Sequence, residues 1–303
     1  MATAQLNSLD QPKAGWRDYY ELTKPKVVAL MILTSLVGMF LATDGMVSWQ
    51  VLLFGNLGIA LVAGGGAAVN HLVDSGIDRI MARTQKRPVA TGRVSLLQGS
   101  FFAAIITVLG MAILFVWINA LTAWLTLASL VGYAFIYTGF LKRATPQNIV
   151  IGGLAGAAPP LLGWTAVTGS VDPLPLLLVL IIFAWTPPHF WALAIHREKE
   201  YAKAEIPMLP VTHGSQYTKL HIVLYTMILM AVTLLPFAVA ETGWLYLAGV
   251  VLLDLRFLWW TWQLMYERQP RAAFYTFKYS ITYLMLLFVV LLVDHYINLG
   301  PYL

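Results

Sequence analysis

Nine apolar stretches follow one another along a chain of 303 residues, and they constrain the fold more than any other feature. A helix needs about 20 mostly apolar residues to cross the hydrocarbon layer of a membrane. Of all residues 59% are hydrophobic and only 11% are charged, which is too little charge to cover a soluble surface. The predicted membrane-spanning helices lie at about 27–43, 49–70, 96–117, 121–140, 148–168, 174–195, 220–240, 244–263 and 277–297.

This pattern predicts an all-α polytopic membrane protein with nine transmembrane helices. No low-complexity or Gly/Ser-rich linker divides the chain, so we expect a cytoplasmic N-terminal arm, 1–26, and one nine-helix domain, 27–303. The arm lacks the apolar core of a secretory signal and carries acidic residues, which also disfavours a mitochondrial transit peptide. The chain has no cysteine, which excludes a disulfide scaffold, cysteine-ligated metals and thiol catalysis.

All 19 Lys and Arg residues fall on one side of the predicted spans. They precede the first span or lie in and beside the loops after spans two, four, six and eight, whereas the opposite loops carry only Asp44, Asp172 and Glu241. The positive-inside rule places the basic side in the cytoplasm, with the C-terminus on the opposite side of a cell (inner) membrane. The net charge of +5 therefore reflects topology, and no nucleic-acid partner is expected.

The first long basic loop begins with a stripe of polar residues. Asn70, Asp74 and Asp78 are spaced i, i+4, i+8, which places them on one helix face. Such oxygen ligands suit Mg²⁺, which completes its shell with water and substrate phosphates. Four cations suited to phosphate oxygens follow at once: Arg79, Arg83, Lys86 and Arg87. The pattern indicates a metal-bound diphosphate. The alternative is a lattice of solvated ion pairs from Asp74 and Asp78 to Arg79 or Arg83, although like charges at i, i+4 disfavour it.

The second long basic loop repeats this arrangement in a weaker form. His196 and Glu200 are again i, i+4, and three cations lie close in sequence. The segment 206–210, Ile-Pro-Met-Leu-Pro, then breaks the helix. We expect this loop to share a cleft with the first one. The alternative is an amphipathic interfacial turn whose cations touch anionic lipid.

A histidine inside the sixth predicted span is the remaining polar feature. His189 follows two prolines and has two interpretations: it ligates iron or donates a proton, or it is a hydrogen-bonded core residue.

Two other function classes also have an acidic bundle whose helices are broken by Gly and Pro. A transporter would place its acids near the midplane and often show a repeated half. A permanent haem-binding oxidase subunit would need pairs of axial histidines.

Several strings of residues together resemble the UbiA-type intramembrane prenyltransferases, and within them the branch that farnesylates haem. The stripe at Asn70, Asp74 and Asp78 is the most general of these. The more specific strings are 21–25, 78–88, 137–153, 185–194 and 206–210. The resemblance covers about residues 15–300.

The resemblance implies an activity. The farnesyl group of farnesyl diphosphate would pass to a vinyl group of haem B, with addition of water, giving haem O and diphosphate. Mg²⁺ would be the cofactor, haem B a substrate, and the lipid bilayer the setting. Hand-off of the product to a haem A synthase or to terminal oxidase assembly is left open. A UbiA-type enzyme acting on a quinone precursor is the residual alternative.

The resemblance also implies roles for residues. Asn70, Asp74 and Asp78 would form the metal site, and together with Glu200 they would be catalytic. The predicted partners of diphosphate or haem propionate are Arg79, Arg83, Arg87, Tyr137, Lys142, Arg197, Lys199 and Lys203. Many family members carry two Asp residues where this chain has His196 and Glu200. That departure leaves open whether a second Mg²⁺ binds or Glu200 instead orients Lys199 or Lys203.

Overall fold

The fold is a bundle of long helices, seen in a computed structural model that describes residues 14–269 and 271–297. No strand occurs within these ranges. The rest of the predicted N-terminal arm, 1–13, lies outside the described residues. The helices are α1 (Trp16–Leu22), α2 (Pro25–Leu41), α3 (Val51–Val73), α4 (Ser75–Ile80), α5 (Leu96–Ile118), α6 (Ala120–Ala144), α7 (Asn148–Thr168), α8 (Pro173–His196), α9 (Glu198–Lys203), α10 (Leu209–Ala238), α11 (Trp244–Met265) and α12 (Ala272–Ile297).

The predicted spans agree closely with these helices. Eight of the described helices are long and apolar enough to cross a membrane, and α1 with α2 brings the number to nine if that bent pair is one span. The largest difference is at α10, which begins at Leu209 rather than near 220 because a short helical segment, 209–213, precedes the span and joins it across a kink at Gly214, whose φ of 82° and ψ of 159° are not helical. Large apolar side chains such as Leu97 and Val108 point outward, as expected of helices surrounded by lipid.

Local sequence explains where several helices begin. Ser95 and Gln98 form a capping box at the start of α5, in which each side chain bonds the other residue's backbone. At the start of α2, Pro25 disfavours the right-handed α conformation for Lys24, which adopts φ 50° and ψ 60° in the left-handed region. The result is a bend of 51° between α1 and α2. This bend turns Lys24 toward the polar end of α3.

Contacts between helix ends place the basic loops together. Lys142 at the end of α6 pairs with Asp74 beyond α3, and Lys219 in α10 pairs with Glu267 beyond α11. The hydrogen bond from Lys219 holds the pKa of Glu267 below its usual range. At the opposite end of the bundle, Asp294 accepts the backbone N–H of Gly243 over 2.6 Å. One end of the bundle is thus the basic face that the charge pattern predicts.

Two glycines join α2 to the second half of α7. A Cβ on Gly38 would collide with the backbone oxygen of Pro160, and a Cβ on Gly163 would collide with that of Ser35. Small residues of this kind allow close helix packing in membranes. Each helix therefore contributes one glycine to a reciprocal contact.

Apolar clusters complete the packing. The largest one joins α8, α10, α11 and α12 around Phe257, Tyr283 and Leu287. A second cluster lies at the basic face, where Met81 of the first long loop packs with Tyr201 and other residues of the second. The two charged loops are therefore neighbours, as the sequence predicts.

Candidate active site

Five side chains from three parts of the chain form a polar group that we call the inner cluster: Lys24, Asn70, Asp74, Thr138 and Lys142. Asn70 Nδ2 donates to Asp74 Oδ2 over 2.9 Å and to Thr138 Oγ1 over 3.1 Å. Asn70 Oδ1 accepts a hydrogen bond from Lys24. Lys142 Nζ donates to Asp74 Oδ2 over 2.6 Å. The bend before α2 and the end of α6 each supply one ammonium group to the end of α3.

The inner cluster is nearly closed to solvent. Asn70 is 4% exposed and Asp74 is 1% exposed. Removing charges from water costs several kcal/mol per ion unless partners compensate it. Compensation here is incomplete, because Asp74 Oδ1 is buried without a hydrogen-bond partner. An unpaired carboxylate oxygen at such a depth indicates a site for a ligand.

The third residue of the stripe holds its own cation. Asp78 accepts two hydrogen bonds from Arg87 Nη1, at 2.9 and 2.8 Å. Helix α3 ends at Val73 and α4 begins at Ser75, yet the backbone bonds from Asp74 N to Asn70 O and from Asp78 N to Asp74 O remain. The predicted common face of the stripe is therefore preserved across the break.

Two predicted phosphate partners lie away from these carboxylates. Arg79 Nε donates to the backbone oxygen of Ala90 over 3.1 Å. Arg83 is exposed and forms no hydrogen bond or ion pair with the described residues. The ion-pair lattice in which Asp74 and Asp78 bond Arg79 or Arg83 is wrong. The actual partners, Lys142 and Arg87, are distant in sequence, so helix spacing alone does not indicate them.

A pair of tyrosines borders the inner cluster. The rings of Tyr133 and Tyr137 stack with centroids 5.9 Å apart and planes 17° apart. The Tyr133 hydroxyl accepts from Lys24 Nζ over 3.3 Å. The ring of Tyr137 packs where Gly152 of α7 has no side chain. The predicted residue Tyr137 thus stands beside the cluster and faces α7.

The second charged loop contributes little to this group. Helix α8 ends at His196, and Arg197 leaves the helical conformation before α9 begins, so His196 and Glu200 do not share a continuous helix face. Glu200 pairs with Arg197 at 3.6 Å. Lys199 and Lys203 are exposed and make no ion pair in the described part of the chain. The idea that Glu200 orients Lys199 or Lys203 is therefore wrong, because the nearest cation is Arg197.

Three residues of the site lie outside the predicted set: Lys24, Thr138 and His71. Lys24 and Thr138 belong to the strings that resemble the family, but their contacts span 46 and 68 residues. His71 is 2% exposed, and neither ring nitrogen has a hydrogen-bond partner. Its position next to Asn70 is the signal that could have indicated it.

The donor set suits a hard cation that also binds a substrate. No group of three or more His, Asp or Glu side chains in the described ranges could enclose a metal. Mg²⁺ does not need such a cage, because one or two carboxylates and phosphate oxygens suffice. Asp74, Asp78 and Asn70 are the residues that could hold it, with Asp74 Oδ1 available.

A groove of about 860 Å³ lies on the outside of the bundle between α1, α2, α3 and α5. Its lining is apolar and includes Trp16, Phe102 and Ile106. Thr23, the neighbour of Lys24, reaches its edge, but none of the predicted site residues lines it. The groove is therefore separate from the inner cluster.

The chain as a whole has counterparts among known proteins. The UbiA prenyltransferase family matches residues 31–292. This chain belongs to the UbiA prenyltransferase family. The predicted family is thereby confirmed, and the chain is a prenyltransferase with the all-α fold of that family.

Solved structures of UbiA-type proteins share the fold. A digeranylgeranylglyceryl phosphate synthase superimposes with a TM-score of 0.78 at 18% identity, covering 92% of this chain and 98% of the other. A UbiA homologue from Archaeoglobus fulgidus bound to GPP and Mg²⁺ gives a TM-score of 0.62 at 16% identity, covering 90% and 99%. These likenesses establish the architecture.

Relatives much closer in sequence carry a more specific name. Protoheme IX farnesyltransferase 1 of Pseudomonas putida (strain W619) is 70% identical over 292 residues, covering 96% of this chain and 98% of the relative. Protoheme IX farnesyltransferase of Stutzerimonas stutzeri (strain A1501) is 69% identical over 296 residues, covering 98% and 99%. This UbiA-family chain is thus similar to them along nearly its whole length.

Proposed function

We propose that this chain transfers the farnesyl group of farnesyl diphosphate to a vinyl group of haem B, with addition of water. Diphosphate and haem O are the products. One observation carries the diphosphate half of the proposal: two buried carboxylates and three half-buried cations meet at the end of α3. The names of relatives about 70% identical support haem as the acceptor.

The reaction begins with heterolysis of an allylic carbon–oxygen bond. The bonding electron pair leaves with the diphosphate, and the vinyl π electrons then form the new carbon–carbon bond. A water oxygen adds to the resulting cationic carbon, and one proton is released. Negative charge therefore develops on the leaving group as the carbon–oxygen bond breaks, and fixed positive groups lower the energy of that transition state.

The inner cluster and the neighbouring pair of Asp78 and Arg87 can supply those positive groups. Lys24 and Lys142 are held by Asn70 and Asp74, and Arg87 is held by Asp78. Asn70, Asp74 and Asp78 would hold Mg²⁺, which supplies Lewis-acid stabilisation of the diphosphate. The cations now paired with the carboxylates would then be placed to bind phosphate oxygens.

The stacked tyrosines and the apolar interior suit the carbon part of the reaction. An allylic cation reacts with water early unless water is excluded. Tyr137 lies between the inner cluster and α7, and its ring face can stabilise positive charge. We propose that Tyr137 borders the path of the farnesyl carbon, in place of the contact with diphosphate or haem propionate expected from the sequence.

The membrane orientation belongs to the same proposal. The basic face would lie in the cytoplasm of a cell (inner) membrane, with the N-terminus inside and the C-terminus outside. Farnesyl diphosphate would then present its charged head at the cytoplasmic mouth, and its tail would stay in the bilayer. Arg197, Lys199 and Lys203 would face the same side and could bind haem propionates. Hand-off of product to a haem A synthase or terminal oxidase assembly stays a hypothesis.

A direct assay tests the proposal. Membranes containing the protein would receive haem B, farnesyl diphosphate and Mg²⁺, and the haems would be separated by chromatography. We expect haem O, its loss on chelation of Mg²⁺, and its loss in Asp74→Asn. A parallel reaction offers 4-hydroxybenzoate as a quinone-precursor acceptor. Prenylation of that acceptor without any farnesylated haem would contradict the proposal.

A further inference from the structure

His189 is a buried histidine whose hydrogen bonds fix which ring nitrogen carries the proton. It lies in α8 and is 8% exposed. Its Nδ1 lies 2.7 Å from the hydroxyl oxygen of Ser280 in α12. That hydroxyl donates its single hydrogen to the backbone oxygen of Phe277 over 2.6 Å. Ser280 Oγ can therefore only accept from the ring, so Nδ1 is the protonated nitrogen.

This assignment leaves the other nitrogen with a lone pair. The described contacts of the ring are three aromatic rings and one hydroxyl, and none of them is an anion that would stabilise an imidazolium. In a neutral imidazole with Nδ1 protonated, Nε2 is an acceptor. Nε2 forms no hydrogen bond with any described residue, and unlike the two ring nitrogens of His71 it is not fully enclosed by the protein, so it is open to a ligand.

The surroundings also fix the plane of the ring. Trp185 stacks on His189 with centroids 4.2 Å apart and planes 20° apart, and Phe277 lies against it at 4.8 Å. The indole Nε1 of Trp185 donates to the backbone oxygen of Ser280 over 2.8 Å, which joins the same two helices. Metal-bound histidines typically have this kind of support: the N–H that does not face the metal donates to an oxygen, and that hydrogen bond fixes the tautomer.

We infer that Nε2 of His189 ligates the iron of the haem substrate. This inference rests on the proposed function, because it takes haem as the acceptor. His189 lies seven residues before the end of α8, about 10 Å along the helix axis. The iron would thus lie below the basic face, with the propionate edge directed toward Arg197 and Lys199. Ligation fixes the distance from the macrocycle to α8, and thereby which vinyl group approaches the allylic carbon.

The other histidines provide controls within the chain. His221 of α10 has the same tautomer, because its Nδ1 donates to the backbone oxygen of Tyr217 over 3.0 Å. Unlike His189, it bonds only its own helix and is half-buried near the basic face. His71 is as deeply buried but has no partner on either nitrogen. His189→Phe, His221→Phe and His71→Phe therefore compare three positions by one substitution.

The experiment measures haem coordination rather than turnover. Purified full-length protein in nanodiscs is mixed with haem B, without farnesyl diphosphate, and examined by electron paramagnetic resonance and resonance Raman spectroscopy. We expect a histidine-ligated iron in the unaltered chain and in His221→Phe, and its loss in His189→Phe. In His189→Gly, added imidazole should restore the signature. Ser280→Ala should keep it, with a lower iron–histidine stretching frequency and haem binding weakened roughly tenfold to a hundredfold.

Each contrary result has a defined meaning. A signature unchanged in His189→Phe, lost instead in His221→Phe or His71→Phe, or absent from the unaltered chain, overturns ligation by His189. Haem O formation is measured separately on the same samples. Haem O produced without a His189-dependent signature refutes this inference and leaves the proposed function intact. A His189-dependent signature without haem O formation refutes the proposed function and leaves the ligation intact.

Discussion

Lys142 Nζ donates to Asp74 Oδ2 over 2.6 Å across 68 residues of sequence, and this contact joins the ends of α3 and α6. The carboxylate side chain is 2% exposed and the ammonium side chain is 15% exposed, so water screens the pair weakly. A pair in this setting matters most when one partner is removed, because the other charge is then left buried.

Because of this asymmetry, a second substitution at the pair should restore stability without restoring activity. Lys142→Met should lower the free energy of unfolding by about 3 kcal/mol, since the Asp74 charge loses its closest cation. The double variant, Lys142→Met with Asp74→Asn, should recover most of the lost free energy of unfolding, while haem O formation stays abolished. Thermal unfolding and haem O formation measure the two effects. Equal stability of the single and double variants would show that the pair does not compensate the buried charge.

The stripe itself predicts a graded dependence on Mg²⁺. Asp78→Asn leaves Asp74 in place, so we expect activity to survive weakly and to require a higher Mg²⁺ concentration. Asp74→Asn should leave no activity at any Mg²⁺ concentration. Arg268→Gln, at an exposed cation beyond α11, is the control and should follow the unaltered chain. Identical Mg²⁺ titrations for all three variants would exclude the stripe as the metal site.

Replacing His71 should make the protein more stable and weaken its binding of farnesyl diphosphate. Two buried nitrogens without partners cost the empty protein roughly 1–3 kcal/mol. His71→Leu should therefore raise the unfolding temperature and at the same time raise the KM for farnesyl diphosphate. The KM for haem B should not change. A lower unfolding temperature would mean that the ring already has a favourable environment in the absence of substrate.

The close contact of α2 and α7 gives a prediction about packing. Gly163→Ala places a methyl group against the backbone of Ser35 and should destabilise the protein by roughly 1–3 kcal/mol. Gly156→Ala in the same helix has nothing within 4 Å and should be neutral or slightly stabilising. Thermal unfolding in one detergent compares them directly. Similar unfolding temperatures for the two variants would argue against tight packing at Gly163.

The proposed orientation can be tested simply because the chain has no cysteine. A single cysteine at Gln85, on the basic face, should react with an impermeant maleimide only after the cells are opened. A cysteine at Met46, which is 84% exposed between α2 and α3, should react in intact cells whose outer membrane has been permeabilised. The reverse pattern would place the basic face outside.

Local sequence predicts the spans and the stripe well, because both depend on composition and on helix periodicity. It does not predict which cations pair with the stripe. Lys24 reaches Asn70 from a left-handed backbone conformation just before Pro25, and Lys142 reaches Asp74 through the packing of α3 and α6. The alternative that pairs Asp74 and Asp78 with Arg79 or Arg83 is wrong for the same reason, since proximity along the chain is not proximity in space.

The reciprocal glycine contact has a consequence for the other end of α2. Gly38 lies 14 residues after Lys24, about 21 Å along the helix axis. The backbone of α7 lies directly against Gly38, and the backbone of α2 lies directly against Gly163. Helix α2 therefore cannot slide along α7 without a collision between backbones. Helix α2 thus acts as a rigid spacer that sets the height of the Lys24 ammonium above Asn70. A substitution at Gly38 or Gly163, in the opposite half of the bilayer, would therefore displace the Lys24 ammonium at the cytoplasmic mouth.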